Sequence, residues 1–255
     1  TVMPVLYTIC TCQPKTIGQW PAKPLLEFIQ QLTAGEALLR MKGGTPALVN
    51  RLIAGITIYS GSAVEKVEQH AEQVLVQNTQ GQSGYFDRVV IATPTPVIEK
   101  FLQQPQFSDD LALLKKFRFE QGDLVIHTDS QVMPQRPKDW AVLSYMMDRN
   151  FSRQQFTVWL NAIEPSLVGK SAVFQTWCPV MSLDPTKIIA QVRLTRAVVD
   201  SDTVALNKQI QQRHLQPNRK VFYCGSWSCD GLPILESAVT SAMHIAEVLG
   251  APVPF

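Results

Sequence analysis

The N-terminal third of the chain begins with helical spacing of apolar residues. Between Pro14 and Leu32, the apolar positions 25, 26, 28, 29 and 32 fall on one side of a helix. Pro21 and Pro24 stand at its entry, where a missing backbone N–H is tolerated. This pattern predicts an amphipathic helix.

A second helix is predicted after Gly43-Gly44. Thr45 is a good N-cap residue, and Pro46 suits the first helical position. An apolar stripe follows, and Gly55 is expected to stop the helix. The stripe consists of Leu48, Val49, Leu52 and Ile53.

Four strands are predicted in the next forty residues. Residues 56–60 are predicted to form a short strand, and residues 63–68 and 73–78 an antiparallel pair. Gln80-Gly81-Gln82 is a turn that leads into one strand over residues 85–92, polar at its start and apolar at its end. Thr93-Pro94 ends that strand.

The middle of the chain predicts an antiparallel sheet. Strand patterns recur at residues 122–128, 141–147, 155–161 and 172–178, with an alternation that is clearest in the third. A helix is predicted from Asp202 to His214. The end of the chain returns to α/β character, with a strand over residues 220–224, a tight exit at Gly225-Ser226 and a helix from Glu236 to Gly250. The two α/β segments are therefore expected to form one domain, interrupted by the middle.

Composition narrows the class of protein. The chain has 255 residues, is 45% hydrophobic and 17% charged, and has a formal net charge of +2. Its Lys and Arg residues are scattered, which argues against nucleic-acid binding. No apolar run approaches the about 18 residues of a membrane span. Five cysteines and no visible signal peptide predict free thiols in a reducing, cytoplasmic compartment.

Motifs for self-contained catalysis are incomplete. Gly225-Ser-Trp-Ser-Cys229 matches a nucleophile elbow for three residues only, and neither cysteines nor histidines have the spacing of metal ligands, so no metal site is predicted. The sequence contains no Gly-x-Gly-x-x-Gly and no Gly-Lys-Ser/Thr, and thus no dinucleotide or triphosphate cradle of its own.

Three stretches nevertheless resemble the FAD-dependent amine oxidase-like oxidoreductases. Gly43–Leu52, Val64 and Phe86–Pro94 are similar to the second FAD-contacting segment of that family. Val221–Ser226 with Leu235–Ala246 is similar to its closing flavin segment. In the middle, Ile126–Asp129, Met133–Arg136, Thr157–Asn161 and Phe174–Trp177 resemble a bacterial NAD/FAD-binding subgroup of the family.

The resemblance implies a fold and a cofactor. The expected fold is α/β, with α+β character in the substrate part: an incomplete FAD-binding Rossmann-like domain interleaved with an antiparallel-sheet substrate domain. Residues 38–98 and 217–251 would form the FAD-binding domain, and residues 1–37 and 99–216 the substrate domain. The residues implied to bind FAD are Val64, Ala92, Thr93, Pro94, Gly225, Ser226, Leu235, Glu236 and Ala238.

Physical chemistry agrees with this implied site. The N-terminus of the helix near Leu235-Glu236 has unpaired N–H groups and a positive dipole end, which suit the flavin edge that becomes anionic on reduction. Gly225 lets the backbone approach a ligand closely. Each residue by itself is equally typical of a turn or of helix packing. The expectation therefore depends on the residues occurring together in the order and spacing of the family.

The family's N-terminal strand–glycine loop–helix does not occur in these 255 residues. We therefore expect the chain to be the C-terminal portion of an FAD-dependent oxidoreductase whose cofactor site is completed by an N-terminal segment or a second polypeptide. It would take hydride from a small, apolar substrate. The alternatives are a non-catalytic flavoprotein-like binding or assembly module and, outside the family, an antiparallel-sheet ligand binder.

The residues of the chemical step are the least defined part of the prediction. Many amine oxidases carry a Lys near the flavin N5, but this sequence has Asp123 at the corresponding position. His127 and Asp123 are the candidates for a polar group over the flavin ring, although strand packing explains either equally well. Trp159, Phe174 and Trp177 suggest an aromatic pocket or, alternatively, a packed core.

Overall fold

The computed structural model describes residues 6–7, 10, 12–34, 41–150 and 152–253. The side chain of Leu32 and the predicted domain boundary at residues 37–38 lie outside the described residues. In these residues helices combine with three sheets, two of them antiparallel. Within the described residues, no helix combines the length and apolarity needed to span a bilayer.

Helices of this fold are short and mostly amphipathic. From residue 12 to the first sheet, the described residues include the helices α1 (Pro14–Ile17), α2 (Ala22–Thr33) and α3 (Gly44–Leu52). Those after it are α4 (Thr95–Phe101), α5 (Ser108–Leu114), α6 (Thr203–His214) and α7 (Leu235–Val248).

A three-stranded antiparallel sheet follows α3, in the order β1 (Val64–Gln69), β2 (Val74–Asn78) and β3 (Ser83–Phe86). The β1–β2 pair was expected. The single strand predicted over residues 85–92 is wrong, because the chain breaks at Asp87-Arg88. Its second half, β4 (Val89–Ile91), leaves the hairpin and pairs in parallel with β10 (Val221–Tyr223).

A five-stranded antiparallel sheet forms the middle of the chain, in the order β6-β7-β8-β5-β9. Its strands are β5 (Arg118–His127), β6 (Leu143–Met147), β7 (Gln154–Trp159), β8 (Phe174–Trp177) and β9 (Ile188–Val198). Four of them match predicted strands. The fifth, β9, is the longest, and the sequence analysis missed it.

Two further predictions were wrong. Residues 56–60 form no strand, and Ile56, Ile58 and Tyr59 are exposed, because no described strand offers them a partner. Helix α3 begins at Gly44, capped by Gly43 with a φ of 84°, so Thr45 is not its cap. None of the residues of α3 is buried.

Two large clusters of buried side chains hold these elements together. One joins β1, β2, β4 and β10 to α4, α5 and α6 and includes Ile98, Leu114, Ile210 and Tyr223. The other packs the N-terminal helices against one face of the five-stranded sheet, around Trp20 and Trp177, and includes Leu232 from the loop before α7. Trp227, earlier in the same loop, belongs to the first cluster, so the loop before α7 packs against both clusters.

Candidate functional site

Parallel pairing of β4 with β10 brings together two segments that are 130 residues apart in the sequence. Val89, Val90 and Ile91 lie opposite Val221, Phe222 and Tyr223, and the Cys224 N–H donates to the Ile91 carbonyl at 3.1 Å. Because both strands run in the same direction, their carboxyl ends, Ala92–Pro94 and Gly225-Ser226, meet at one edge. Ligands of open parallel sheets bind at such an edge.

Trp227 joins the two strand ends. Its indole Nε1 donates to the Thr93 carbonyl at 3.1 Å, and its ring meets Phe117 edge to face, with 4.8 Å between centroids. Gly225 has a φ of 142°, and a Cβ there would come within 2.9 Å of the Trp227 Nε1. The glycine is thus required by Trp227, a contact that the sequence analysis did not anticipate.

The same loop is tied to helix α7. The Gly225 N–H donates to the Ser241 hydroxyl at 2.9 Å, and Ser241 in turn donates to the Ala238 carbonyl at 2.9 Å. Farther along the loop, the Asn207 amide of α6 donates to Asp230 at 2.8 Å. These bonds bring Gly225, Ser226 and Ala238 close to one another, and Thr93 beside them.

The N-terminus of α7 is open to solvent. Leu235 is 66% exposed, Glu236 is exposed, and Ile234 makes no side-chain cap. The backbone N–H groups of Leu235 and Glu236 have no acceptor among the described residues, since the first intrahelical bond runs from Ala238 to Ile234. These donors and the positive end of the helix dipole form a local environment that favours an anion.

The other predicted cofactor residues differ in their positions. Ala92 is exposed, and Pro94 precedes α4 as its N-cap residue. The Thr93 hydroxyl is buried without a hydrogen-bond partner among the described residues. Val64, 41% exposed, begins β1 in a different sheet, and no hydrogen bond joins it to the Gly225 loop in the described part of the chain.

Both candidates for the chemical step are already engaged by the protein. Asp123 is bound in bidentate fashion by Arg193, at 2.8 Å and 3.1 Å, which holds the pKa of its carboxyl below the usual range. His127 is fully buried: its Nδ1 accepts from the Asp129 N–H at 3.1 Å, so Nε2 carries the proton and donates to Thr176 at 2.8 Å. Burial lowers the pKa of His127, which is therefore neutral at pH 7.

The aromatic side chains of the middle sheet pack in two cores, Phe174 in one and Trp177 in the other. Phe174 is fully buried, Trp177 is 3% exposed, and Trp140 stacks edge to face on Phe174 and Trp159, both at 5.4 Å. Gly122 permits the packing of Trp177, since a Cβ there would lie 2.2 Å from the Trp177 ring. Of the two alternatives left open by the sequence, the packed core is the observed one.

No metal centre is assembled in the part of the chain that the structure describes, where no three His, Cys, Asp or Glu side chains are grouped as ligands. The features at the strand ends fit a flavin better than a metal ion. These features are the solvent-exposed N-terminus of α7, the Thr93 hydroxyl that has no hydrogen-bond partner among the described residues, and the adjacent carboxyl ends of β4 and β10.

Comparison with known proteins identifies the class of protein that this chain resembles and its cofactor. Residues 15–126, slightly less than half of the chain, match the family of flavin-containing amine oxidoreductases. The sequence resemblance to FAD-dependent amine oxidase-like oxidoreductases is thereby confirmed, and FAD is the cofactor that the match supports. No curated protein matches the sequence.

Solved structures show the same fold. "Putative protoporphyrinogen oxidase from Exiguobacterium sp. 255-15" superposes with a TM-score of 0.62 at 12% identity, over 98% of this chain and 63% of that one. Reduced UDP-galactopyranose mutase gives a TM-score of 0.57 at 13% identity, over 82% of this chain and 52% of that one. The chain thus spans between half and two thirds of the length of these structures.

Proposed function

We propose that this chain is the C-terminal portion of an FAD-dependent oxidoreductase that takes hydride from a small, apolar substrate. The observation that carries the proposal is the edge at which Thr93 and Gly225 meet beside the open N-terminus of α7. In this proposal residues 38–98 and 217–251 form an incomplete Rossmann-like domain. Residues 1–37 and 99–216 form the substrate domain.

The chain's own residues would hold the flavin rather than react. The free N–H groups of Leu235 and Glu236 would donate to the pyrimidine edge of the ring, where negative charge develops on reduction. The strand ends at Thr93 and Gly225 would form the wall beside the ring, and Val64 would meet the adenine through its main chain. FAD, when bound, supplies the chemistry by accepting hydride from the substrate.

Exposed apolar side chains support a second part of the proposal, that an N-terminal ADP-binding segment or chain completes the site. Helix α3 buries none of its residues, and Val49, Leu52, Ile58 and Tyr59 are 43%, 64%, 52% and 78% exposed. Several large apolar side chains exposed within eleven positions of the sequence are consistent with a surface that another segment covers. The absent glycine-rich loop would come from the same segment.

The proposal is tested by isolating the protein under native conditions with whatever polypeptide accompanies it. We expect a yellow preparation with flavin absorption bands that dithionite bleaches. We also expect FAD among the small molecules and a glycine-rich nucleotide-binding sequence among the peptides found by mass spectrometry. A colourless preparation that takes up no added FAD would refute the assignment.

The second candidate function is a non-catalytic flavoprotein-like module. It is favoured by one observation: Asp123 and His127 are both engaged in protein contacts, so neither offers a free acid or base. A preparation that retains FAD but never becomes reduced by any of a panel of amines and apolar alcohols, while dithionite reduces it, would favour this function. The five cysteines form no disulfide in the described residues, which fits the cytoplasmic location proposed for either function.

A further inference from the structure

Strand β8 leaves the middle sheet before its two neighbours do. It ends at Trp177, which lies opposite Phe156 of β7 and Leu124 of β5. Cys178 then adopts a φ of 48°, and Pro179, which has no N–H to donate, does not extend the strand. Both neighbouring strands continue past this point, and a cavity of about 340 Å³ is lined by residues of the two strands and by the chain that leaves β8.

Gln154, the first residue of β7, lines this cavity with an unpaired carboxamide. The residue is 2% exposed, and neither its Oε1 nor its Nε2 has a hydrogen-bond partner among the described residues. Buried polar side chains normally have partners, and an amide without them costs free energy for both its donor and its acceptor. Gln154 therefore marks the cavity as a site for a group that pairs with both atoms.

The other polar groups that line the cavity favour a neutral ligand. The Tyr7 hydroxyl donates to the Cys178 thiol, and burial raises the pKa of both groups, so neither is ionised at pH 7. Asp123 is neutralised by the bidentate bond from Arg193. Arg153 is exposed to solvent, and its guanidinium donates to a backbone carbonyl at 2.8 Å. The buried part of the lining thus carries no unpaired charge.

We propose that this cavity binds the cis-amide group of a small neutral molecule, such as a lactam or an imide, through the carboxamide of Gln154. In a cis-amide the N–H and the C=O lie on the same side, so the group donates to Oε1 and accepts from Nε2 in one plane. A carboxylate or an ester brings acceptors alone and leaves Oε1 unpaired. Gln154 and the cavity around it are not part of the edge assigned to the flavin, so the inference goes beyond the proposed function and does not depend on it.

The experiment is an NMR titration of the purified, nitrogen-15-labelled full chain with 2-pyrrolidone, a lactam much smaller than the cavity. We expect a saturable shift of the side-chain amide signal of Gln154, which is identified by its loss in Gln154→Leu. The control probe is N-methyl-2-pyrrolidone, which keeps the ring and the carbonyl but has no N–H. Its dissociation constant should be about tenfold higher, because one hydrogen bond to the buried Oε1 is lost.

Two variants test the residue itself. Gln154→Leu keeps the approximate size of the side chain but removes both polar atoms, so it should abolish binding of 2-pyrrolidone. Gln175→Leu, the same substitution at a half-buried position of β8 outside the cavity lining, is the matched control and should leave the binding unchanged.

The comparison of the two probes uses the unaltered chain, so it decides the question even where Gln154→Leu does not fold. Equal affinity for both probes, binding retained by Gln154→Leu, or no saturable shift, as expected when water alone fills the cavity, would overturn the proposal. None of these measurements involves flavin, so their failure is distinguishable from a failure of the proposed function.

Discussion

The indole Nε1 of Trp227 donates to the backbone carbonyl of Thr93 at 3.1 Å, across 134 positions of sequence. This bond connects the carboxyl ends of the only two parallel strands in the described structure. Trp227 is 5% exposed, so the bond is shielded from water. It fixes the distance between the two segments that we assign to the flavin.

We predict that Trp227→Phe separates the strand ends without unfolding the chain. Phenylalanine keeps a ring against Phe117 but leaves the Thr93 carbonyl unpaired. The unpaired carbonyl should lower the free energy of unfolding by about 1–3 kcal/mol, in addition to the packing lost with the smaller ring. Trp177→Phe is the control, since Trp177 is equally buried but its Nε1 has no partner among the described residues. Urea unfolding of both variants measures the difference. Equal losses would show that the bond contributes nothing.

We predict that Leu235→Pro weakens FAD retention by about tenfold, the equivalent of one hydrogen bond to a charged group. Leu235 is the first residue of α7, where proline is favoured, and Ile234 before it is already extended. The variant therefore removes one free N–H donor with little change in stability. Leu235→Ala, which removes the exposed side chain but keeps the N–H, is the control. Flavin released during dialysis is the measurement, and equal retention would refute the role of this N–H.

We predict that Asp110→Asn destabilises the fold by about 3–5 kcal/mol. Asp110 is 4% exposed and accepts from Arg213 at 2.9 Å, from the Tyr223 hydroxyl at 2.7 Å and from Arg219. Burial opposes its ionisation, but these donors outweigh it and hold its pKa below the usual range. The amide would leave the Arg219 charge buried without a counterion.

The control for Asp110→Asn is Asp139→Asn. Asp139 also pairs with an arginine, Arg136 at 2.6 Å, but this pair lies at the surface. An exposed pair of this kind contributes at most about 1 kcal/mol. Chemical unfolding measures both variants, and a similar small loss in each would contradict the importance of the buried cluster.

We predict that the fold loses stability in acid through His214. Its Nε2 accepts from the Tyr223 backbone N–H at 3.2 Å in β10, and burial, with Arg219 and His244 nearby, lowers its pKa to about 4. Because the folded state holds the proton less tightly than the unfolded state, the stabilisation is complete above pH 6.5. It declines as the pH falls from there towards 4, by about 3 kcal/mol at most.

The measurement is the free energy of unfolding of the wild type and of His214→Gln between pH 8 and pH 4. The difference between the two should shrink as the pH falls. The control is His70→Gln, the same substitution at an exposed histidine. A difference that stays constant with pH would show that His214 does not titrate in this range.

Local patterns predicted much of this fold. The β1–β2 pair, four strands of the middle sheet and helices α6 and α7 follow from alternation and helical spacing, which depend on residues close in sequence. Strand β9 was predictable in the same way, since Ile188–Val198 is rich in β-branched residues, but it was overlooked. The split of residues 85–92 between two sheets was not predictable, because it depends on β10, some 130 residues away.

The sequence by itself determined the family resemblance and the cofactor, because the spacing of glycines, strands and helices is a local property. Only the tertiary structure decided that Trp227 joins Thr93 to the Gly225 loop, that Asp123 and His127 are occupied, and that α3 remains uncovered. These depend on which distant surfaces meet, and the free energy of burial or of a hydrogen bond is realised only after the chain has folded.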